Sequence, residues 1–415
     1  MHRARHAAFA VRAVARHCQG VHRGATVTAA PLICRGNPWP RASRAWSSHA
    51  SSSQCEPAQS EKGVSQGMPV SLQRVTNKDL EAWANGSAVR GHVFTRAAAE
   101  PYTVSPTRHF GTGTEAPDGW SAHFISTSGM KSGGSPNQDA YSFTFLDHGW
   151  ILSIACDGHG EHGEVIAERV SRVLPLFFSA NMAESLDPEE ALREAFRLAQ
   201  GDLERSFSSM QVFSGATVAL CCMQPSAGTV WFATVGDSRV VLGDMDSGRP
   251  VFATTEHKAH NPDEYSRLEA AGAQVVQKRY DDGEVVSRIF IPKTGVPGLA
   301  MSRSLGDGCL KKYGVSAEPE ISNMTGQWQS CRLPSVMLAS DGLWDTVSIE
   351  EAISAMAVRY RAGRDLKSGL ENLTRRSQRR WIEVEGDYCD DVTVVFIAPK
   401  SEAKAAPDTT GARAI

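Results

Sequence analysis

The sequence Trp-Ile-Leu-Ser-Ile-Ala-Cys-Asp-Gly-His-Gly-Glu-His occupies residues 150–162 and joins an apolar run to a polar loop. Residues 150–156 have the length and the apolar character of a buried strand. Asp157 and His159 follow directly, so a carboxylate and an imidazole stand at the end of that strand. Gly158 has no side chain that would block access to its carbonyl oxygen. These features indicate a metal site, and a solvated Asp-Gly turn is the alternative for these few residues alone.

Further carboxylates stand at the ends of other strand-like runs. They are Asp139 before a run at 140–145, Asp237 between runs at 229–235 and 240–243, Asp341 and Asp345 after a run at 336–339, and Asp390 before a run at 392–397. Aspartate oxygens suit Mg²⁺ or Mn²⁺, whereas Zn²⁺ would call for His or Cys ligands at fixed spacing. The sequence therefore predicts a hard-cation site where several strand ends meet.

The overall composition is that of a globular protein with balanced charge. The chain has 415 residues, 41% of them hydrophobic, and 43 basic against 46 acidic residues give a net charge of −3. This balance gives no reason to expect a nucleic-acid partner, and no apolar run approaches the roughly 18 residues of a membrane-spanning helix. The nine cysteines are scattered and lack a Cys-x-x-Cys pair, which favours reduced thiols over a disulfide framework. We expect no membrane association and a monomer.

Charge and composition divide the chain into four parts. Residues 1–55 contain eight arginines and no lysine or acidic residue, a pattern that resembles a mitochondrial transit peptide. Residues 56–116 are rich in Ser, Gly, Pro and Thr and predict a linker or accessory arm, with one short helical pattern at 77–85. The folded body is predicted over 117–399 and a disordered tail over 400–415. We expect a mitochondrial location; the alternatives are cytoplasmic, nuclear or plastid.

Within the body, strand-like runs are interrupted by pairs of helical patterns. One helix is predicted over 165–177, and the next begins with Asp187 as N-cap and Pro188 at its first position. Further helical patterns lie at 349–361 and around 375–380. This order favours an α+β sandwich, with a β-core covered by helices, over a doubly wound parallel sheet.

Taken together, the motifs form an ordered set. They are Asp139, Asp157-Gly158-His159-Gly160, Ser214-Gly215-Ala216-Thr217, Gly236-Asp237-Ser238-Arg239, the stretch from Leu299 to Asp307, Ser340-Asp341-Gly342-Leu343-Trp344-Asp345, and Asp390-Asp391. This set resembles the type-2C, metal-dependent protein serine/threonine phosphatases (the PPM family). The resemblance implies a four-layer α-β-β-α sandwich of two mainly antiparallel sheets flanked by helix pairs.

The same resemblance implies a role for each carboxylate. Asp157 would bridge two Mg²⁺ or Mn²⁺ ions, the Gly158 carbonyl would complete one of them, and Asp341 with Asp390 would hold the other. Asp139 would orient metal-bound water. Family members can carry a third, weaker ion, whose ligands correspond to Asp237, Asp341 and Asp345. The Arg303–Asp307 motif is interpreted as structural support.

The implied reaction is hydrolysis of phosphoserine and phosphothreonine in phosphoprotein substrates. A water that bridges two ions would attack phosphorus in line, without a phosphoenzyme. The departing oxygen needs a proton, and His159 is placed to donate it. A histidine that only hydrogen-bonds nearby water is the alternative.

The sequence departs from the family pattern beside the first aspartate. The family commonly has a basic residue five positions before it to bind phosphate, but this chain has Gly134, and the nearest base is Lys131. A flexible lysine is a weaker phosphate anchor than a bidentate arginine. Gln138 also stands where many members have Glu, and its amide can still hydrogen-bond coordinated water.

Two other functions compete with the phosphatase interpretation. A pseudophosphatase would use the same fold as a binding or regulatory module without turnover, but its expected signature is the loss of metal carboxylates, which are present here. A metal-dependent hydrolase of a small phosphoester is the second alternative. The excursion at 261–297 corresponds to the substrate-side flap of the family and favours a protein substrate.

Overall fold

The structure, a computed structural model, describes residues 74–94, 119–131, 135–184, 186–280, 283 and 285–400. The predicted transit peptide, all but the first residue of the predicted tail and Gly134 lie outside the described residues. The predicted boundaries of those parts stay predictions.

Two antiparallel sheets form the centre of the described body. The first consists of β1 (Val89–Phe94), β3 (Ala140–Leu146), β4 (Ile151–Cys156), β7 (Val218–Gln224), β8 (Thr229–Val235) and β15 (Glu320–Asn323), and the second of β2 (Trp120–Thr127), β9 (Arg239–Asp244), β10 (Arg249–Ala253), β16 (Pro334–Ala339) and β17 (Val392–Pro399). Their strand orders are β1-β3-β4-β7-β8-β15 and β10-β9-β16-β17-β2. The facing sides bury a shared core that includes Tyr141, Phe143, Phe232, Leu338 and Val395.

Helices cover the outer face of each sheet. The α-helices of the described residues are α1 (Asn77–Ala84), α2 (Gly163–Ala183), α3 (Pro188–Ser206), α4 (Pro262–Ala270), α5 (Gly308–Lys311), α6 (Thr325–Ser330), α7 (Asp341–Trp344), α8 (Ile349–Arg361) and α9 (Leu366–Glu385). The apolar sides of α2 and α3 pack on the first sheet, and those of α8 and α9 pack on the second. The four-layer α-β-β-α sandwich is therefore confirmed. No described helix is long and apolar enough to cross a bilayer.

Local sequence signals explain where the helices begin. Asp187 Oδ1 accepts the backbone N–H of Glu190 at 3.0 Å, which confirms the predicted N-cap of α3. Ser348 and Asp365 cap α8 and α9 in the same way. The helix predicted over 349–361 has those bounds in the structure.

The excursion at 261–297 contains more regular structure than its polar sequence indicates. After α4, strands β11 (Gln274–Arg279), β12 (Val285–Phe290) and β13 (Pro297–Leu299) form a separate three-stranded antiparallel sheet. It covers a small core of its own, which includes Leu268, Ile289 and Leu310. Because most of β11 is exposed, its side chains lack the alternation of apolar and polar residues that predicts a strand.

Part of the predicted arm packs against the body. The strand β1 pairs antiparallel with β3, and Leu80 of α1 is buried with the outer core of the first sheet. Arg169 of α2 donates to the carbonyl of Val75 at 2.5 Å and forms a buried ion pair with Asp202, with Nε–Oδ2 at 2.7 Å. Residues 74–94 thus contact the body through a strand pairing, a buried leucine and a backbone carbonyl.

A last, very small sheet joins three loops of the body. It consists of β5 (Gly158–His159), β6 (Gly215–Ala216) and β14 (Leu305–Gly306), in the order β14-β6-β5. His159 pairs with Gly215, and Gly215 pairs with Gly306. This sheet brings the sequence around residue 306 beside the loop that follows β4.

Candidate active site

The predicted metal carboxylates lie at one end of the sandwich. Asp139 precedes β3 and Asp157 follows β4, and the neighbouring residues Ala140 and Cys156 face each other in the ladder. In the second sheet Ala339 is paired with both Arg239 and Val394. The strand register therefore places Asp237, Asp341 and Asp390 at the same end, as the turn and strand-end positions predict.

Electrostatic interactions show that these carboxylates are close together. Burial raises the pKa of Asp157 well above its usual range, and the charges of Asp341, Asp139, Asp390 and Asp237 raise it further. Burial, followed by the charges of Asp237 and Asp390, raises the pKa of Asp341 to about 7. A cluster of buried like charges is costly unless positive charge compensates it.

Their chemistry fits a hard divalent cation. Asp237 Oδ1 and Asp341 Oδ1 are buried atoms without a hydrogen-bond partner, and burial together with the Asp341 charge raises the pKa of Asp345. Oxygen donors of this kind suit Mg²⁺ or Mn²⁺. Among the described residues, no group of three or more His, Cys, Asp or Glu side chains is arranged to hold a metal ion.

The Asp157 loop is shaped for close approach to its neighbours. Gly158 N donates to Gln138 O at 3.1 Å, and a Cβ at Gly158 would lie 2.3 Å from Gly163 O and 2.5 Å from Gln138 O. Only glycine fits this position. The Gln138 amide donates to Gly160 O at 2.8 Å, so it supports the loop directly.

Asp139 is fixed from the opposite sheet. It is 5% exposed, and its Oδ2 accepts the hydroxyl of Ser340 at 2.7 Å. Ser340 immediately precedes Asp341, so this hydrogen bond connects the strand ends of the two sheets.

His159 has a partner that the sequence analysis assigned only to structural support. His159 Nε2 lies 2.7 Å from Oδ2 of Asp307, and Oδ2 also accepts the hydroxyl of Ser304 at 2.6 Å. Burial lowers the pKa of His159, but the charge and hydrogen bond of Asp307 outweigh it and raise the pKa above its ordinary value. The other ring nitrogen, Nδ1, is buried without a hydrogen-bond partner.

Two lysine side chains contact the aspartate cluster. Lys131 Nζ lies 3.0 Å from Asp390 Oδ1 and 2.6 Å from Asp391 Oδ2, so its ammonium is engaged by carboxylates, and its predicted role as a phosphate anchor stays a prediction. Lys258 forms an ion pair with Asp237. Neither contact was expected from the sequence.

The excursion at 261–297 contributes another positive charge to the site. Arg288 of β12 is 6% exposed. Burial lowers its pKa, and the charges of Asp237 and Asp341 oppose that change. This arginine was not among the predicted site residues.

The family model described as "Protein phosphatase 2C" matches residues 142–380. The chain belongs to the protein phosphatase 2C family. The match covers more than half of the chain; Asp139 lies before it and Asp390 after it.

Curated relatives carry the same family name. The chain is 34% identical over 267 residues to "Probable protein phosphatase 2C 64" of Oryza sativa subsp. japonica, covering 61% of each chain. It is 32% identical over 237 residues to "Probable protein phosphatase 2C 1" of Arabidopsis thaliana, covering 48% of this chain and 50% of the relative. The chain thus spans only about half to three fifths of the length of these 2C relatives.

Solved structures share the fold. A serine-threonine phosphatase 2C from Toxoplasma gondii matches with a TM-score of 0.55 and 18% identity, covering 75% of this chain and all of that chain. A C. elegans sex determining protein matches with a TM-score of 0.54 and 21% identity, covering 69% of this chain and 66% of that chain. The likeness supports the 2C sandwich architecture.

Proposed function

We propose that this chain is a metal-dependent protein serine/threonine phosphatase that hydrolyses phosphoserine and phosphothreonine without a phosphoenzyme. The observation that supports this most strongly is the cluster of buried aspartates, two of them with unpartnered oxygens, at one end of a 2C sandwich. Buried like charges destabilise a fold when no positive charge compensates them. A cluster of this kind therefore indicates a cation-binding site. Family membership connects this site to phosphate ester hydrolysis.

The aspartates would hold the ions. Asp157 and the Gly158 carbonyl, with Asp341 and Asp390, would bind two ions, and Asp237 with Asp345 and Asp341 would bind a third more weakly. When bound, two Mg²⁺ or Mn²⁺ ions supply an activated water nucleophile and offset the charge of the phosphate. Asp139, anchored by Ser340, would accept a hydrogen bond from that water and orient it.

His159 would donate the proton that the departing serine or threonine oxygen needs. Asp307 holds the ring through Nε2, and Nδ1 has no hydrogen-bond partner in the protein. Asp307 also stabilises the protonated imidazole, which is the form that can donate. Asp307 is therefore a positioning residue for His159.

The substrate class is tested by comparing esters. The full-length chain with Mn²⁺ should release phosphate from phosphothreonine and phosphoserine peptides much faster than from small phosphorylated metabolites. Equal or greater activity on the metabolites would contradict the proposal of a protein phosphatase and would favour a hydrolase of small phosphoesters. Metal binding without release from any ester would favour the pseudophosphatase, in which the same site serves as a binding module.

We also propose a mitochondrial location, which rests on the arginine-rich, acid-free composition of residues 1–55. A fusion of residues 1–60 to a fluorescent reporter should accumulate in mitochondria. A diffuse cytosolic signal, or accumulation in plastids or the nucleus, would contradict this proposal.

A further inference from the structure

The ammonium group of Lys131 lies directly against a predicted metal ligand. Its Nζ is 3.0 Å from Asp390 Oδ1 and 2.6 Å from Asp391 Oδ2, and the side chains of Lys131 and Asp391 are only 17% and 2% exposed. Water screens exposed ion pairs and makes them weak. This pair is largely shielded, so its charge strongly influences the carboxylates that it contacts.

Both oxygens of Asp390 are already engaged by protein groups. Oδ1 accepts the N–H of Asp391 at 2.8 Å as well as the contact from Lys131, and Oδ2 accepts the hydroxyl of Tyr388 at 3.0 Å. A divalent cation that binds Asp390 must displace or share one of these partners. Of the three, only Lys131 adds a full positive charge that repels the incoming ion.

The backbone holds Lys131 in this position. Met130 N donates to Cys389 O at 2.7 Å, and Cys389 N donates to Met130 O at 3.0 Å. Gly129 N donates to Asp391 Oδ1 at 2.7 Å, and a Cβ at Gly129 would lie 2.1 Å from Cys389 O. The loop before Lys131 is thus joined to the loop of Asp390, which brings the Lys131 side chain beside the two carboxylates.

The Lys131 ammonium supplies Asp390 and Asp391 with positive charge that a bound cation would otherwise supply. Asp391 Oδ2 also accepts the N–H of Gln138 at 2.9 Å, so Asp391 connects Lys131 to the segment that leads into Asp139. Without positive charge here, the two adjacent carboxylates would be left buried and uncompensated. With it, the charges of Asp390 and Asp391 are partly neutralised, and part of their attraction for a cation is already satisfied.

We propose that Lys131 is a tethered counter-ion of the metal centre. It holds Asp390 and Asp391 in the metal-free protein and thereby lowers the affinity of the Asp390-containing site for a divalent cation. This inference deepens the proposed function and rests on it, because Asp390 must be a metal ligand.

The test measures Mn²⁺ binding and not catalysis. Chelator-treated full-length chain is titrated calorimetrically with Mn²⁺, and thermal unfolding is recorded without metal. Lys131→Met should tighten Mn²⁺ binding by about tenfold, and it should lower the unfolding temperature of the metal-free protein. Lys131→Arg, which keeps the charge, should behave like the wild type.

A matched control removes a different ammonium group. Lys312 is exposed and its Nζ lies 5.2 Å from the centroid of the Tyr313 ring, so Lys312→Met should leave both Mn²⁺ affinity and unfolding temperature unchanged. Equal tightening in Lys312→Met would show a general effect of net charge and would overturn the proposal.

Asp390→Asn separates this inference from the function on which it rests. The substitution should weaken Mn²⁺ binding, and Lys131→Met should no longer tighten it in that background. If Asp390→Asn weakens binding while Lys131→Met alone leaves it unchanged or weaker, the counter-ion role is overturned and the metal site stands. If the wild type binds no Mn²⁺, or Asp390→Asn binds it equally well, the ligand assignment fails and the inference fails with it.

Discussion

His159 Nε2 lies 2.7 Å from Asp307 Oδ2, although 148 positions separate the two residues in the chain. The contact exists because the strands at 158–159 and 305–306 both pair with the strand at 215–216. A Cβ at Gly215 would lie 2.3 Å from Asp307 Oδ2, so the glycine is required for this approach. The motif that ends in Asp307 thus contacts His159, the proposed proton donor.

Asp307→Asn should lower kcat on a phosphothreonine peptide by about tenfold to a hundredfold, because His159 loses the charge that orients and stabilises its protonated form. KM for the peptide and Mn²⁺ affinity should stay close to the wild-type values. On p-nitrophenyl phosphate, whose leaving group needs no protonation, the loss should be much smaller. Steady-state kinetics on both substrates check this. Equal losses on the two esters would point to a general structural defect and contradict the role of Asp307.

Asp341→Asn should raise the thermal unfolding temperature of the metal-free protein while abolishing phosphatase activity. Asp341 adds a charge to a buried carboxylate cluster, and its Oδ1 has no hydrogen-bond partner. Removing that charge relieves repulsion, a trade between stability and activity that is common at active sites. Saturating Mn²⁺ should stabilise the wild type strongly and the variant weakly. A lower unfolding temperature in metal-free Asp341→Asn would contradict the proposed repulsion.

Glu264→Gln should destabilise the fold by about 3–5 kcal/mol at neutral pH. Glu264 is 4% exposed, and its carboxylate accepts from Arg267 at 2.6 and 2.8 Å and from Arg303 at 2.7 and 3.1 Å. Although burial alone would raise the pKa of Glu264, the hydrogen bonds of Arg267 and Arg303 lower it far below its ordinary 4.5. The stabilisation is therefore complete above about pH 4.5 and is lost as the pH falls through the folded-state pKa.

Urea unfolding of wild type and Glu264→Gln across pH 3–8 measures this dependence. The difference in unfolding free energy should be constant from pH 6 to 8 and should shrink as the pH falls below about 4.5. If the difference in unfolding free energy between the two proteins grew as the pH fell, the predicted pH dependence would have the wrong sign.

Arg169→Met should destabilise the protein by about 3–5 kcal/mol. The substitution leaves Asp202 buried without its ion-pair partner and removes the donor to the Val75 carbonyl, which fastens the arm. The matched control is Arg193→Met, whose partner Glu318 is 65% exposed and whose own side chain is 45% exposed. That exposed pair should contribute about 0–1 kcal/mol. Equal losses in the two variants, measured by urea unfolding, would show that burial of the arm contact adds no stability.

The sequence was sufficient for features that depend on local pattern. Apolar runs ending in Asp-Gly predicted where Asp157 and Asp341 stand, and the register of antiparallel strands brings such ends together without further information. Caps such as Asp187 predicted helix starts for the same reason, since a cap is a contact between residues close in sequence.

Contacts between residues that lie far apart in the chain could not be predicted from local sequence patterns. The sequence does not indicate that Lys131 contacts Asp390 or that His159 contacts Asp307. Each contact depends on how separate loops meet in the fold. The hairpin at 274–290 was missed because its exposed side chains lack an apolar period. The arm at 74–94 has few buried residues, so its attachment depends mainly on Arg169 and on backbone pairing with β3.

The most direct test of the central claim, that the aspartate cluster is a catalytic metal centre, is phosphate release from a phosphothreonine peptide by the full-length chain as Mn²⁺ is titrated after chelation. We predict no release with chelator, a rise in rate with Mn²⁺ and with Mg²⁺, and loss of that rise in Asp157→Asn, measured alongside an unfolding curve that shows the variant is folded. Undiminished release in excess chelator, or a folded Asp157→Asn variant as active as the wild type, would contradict the claim.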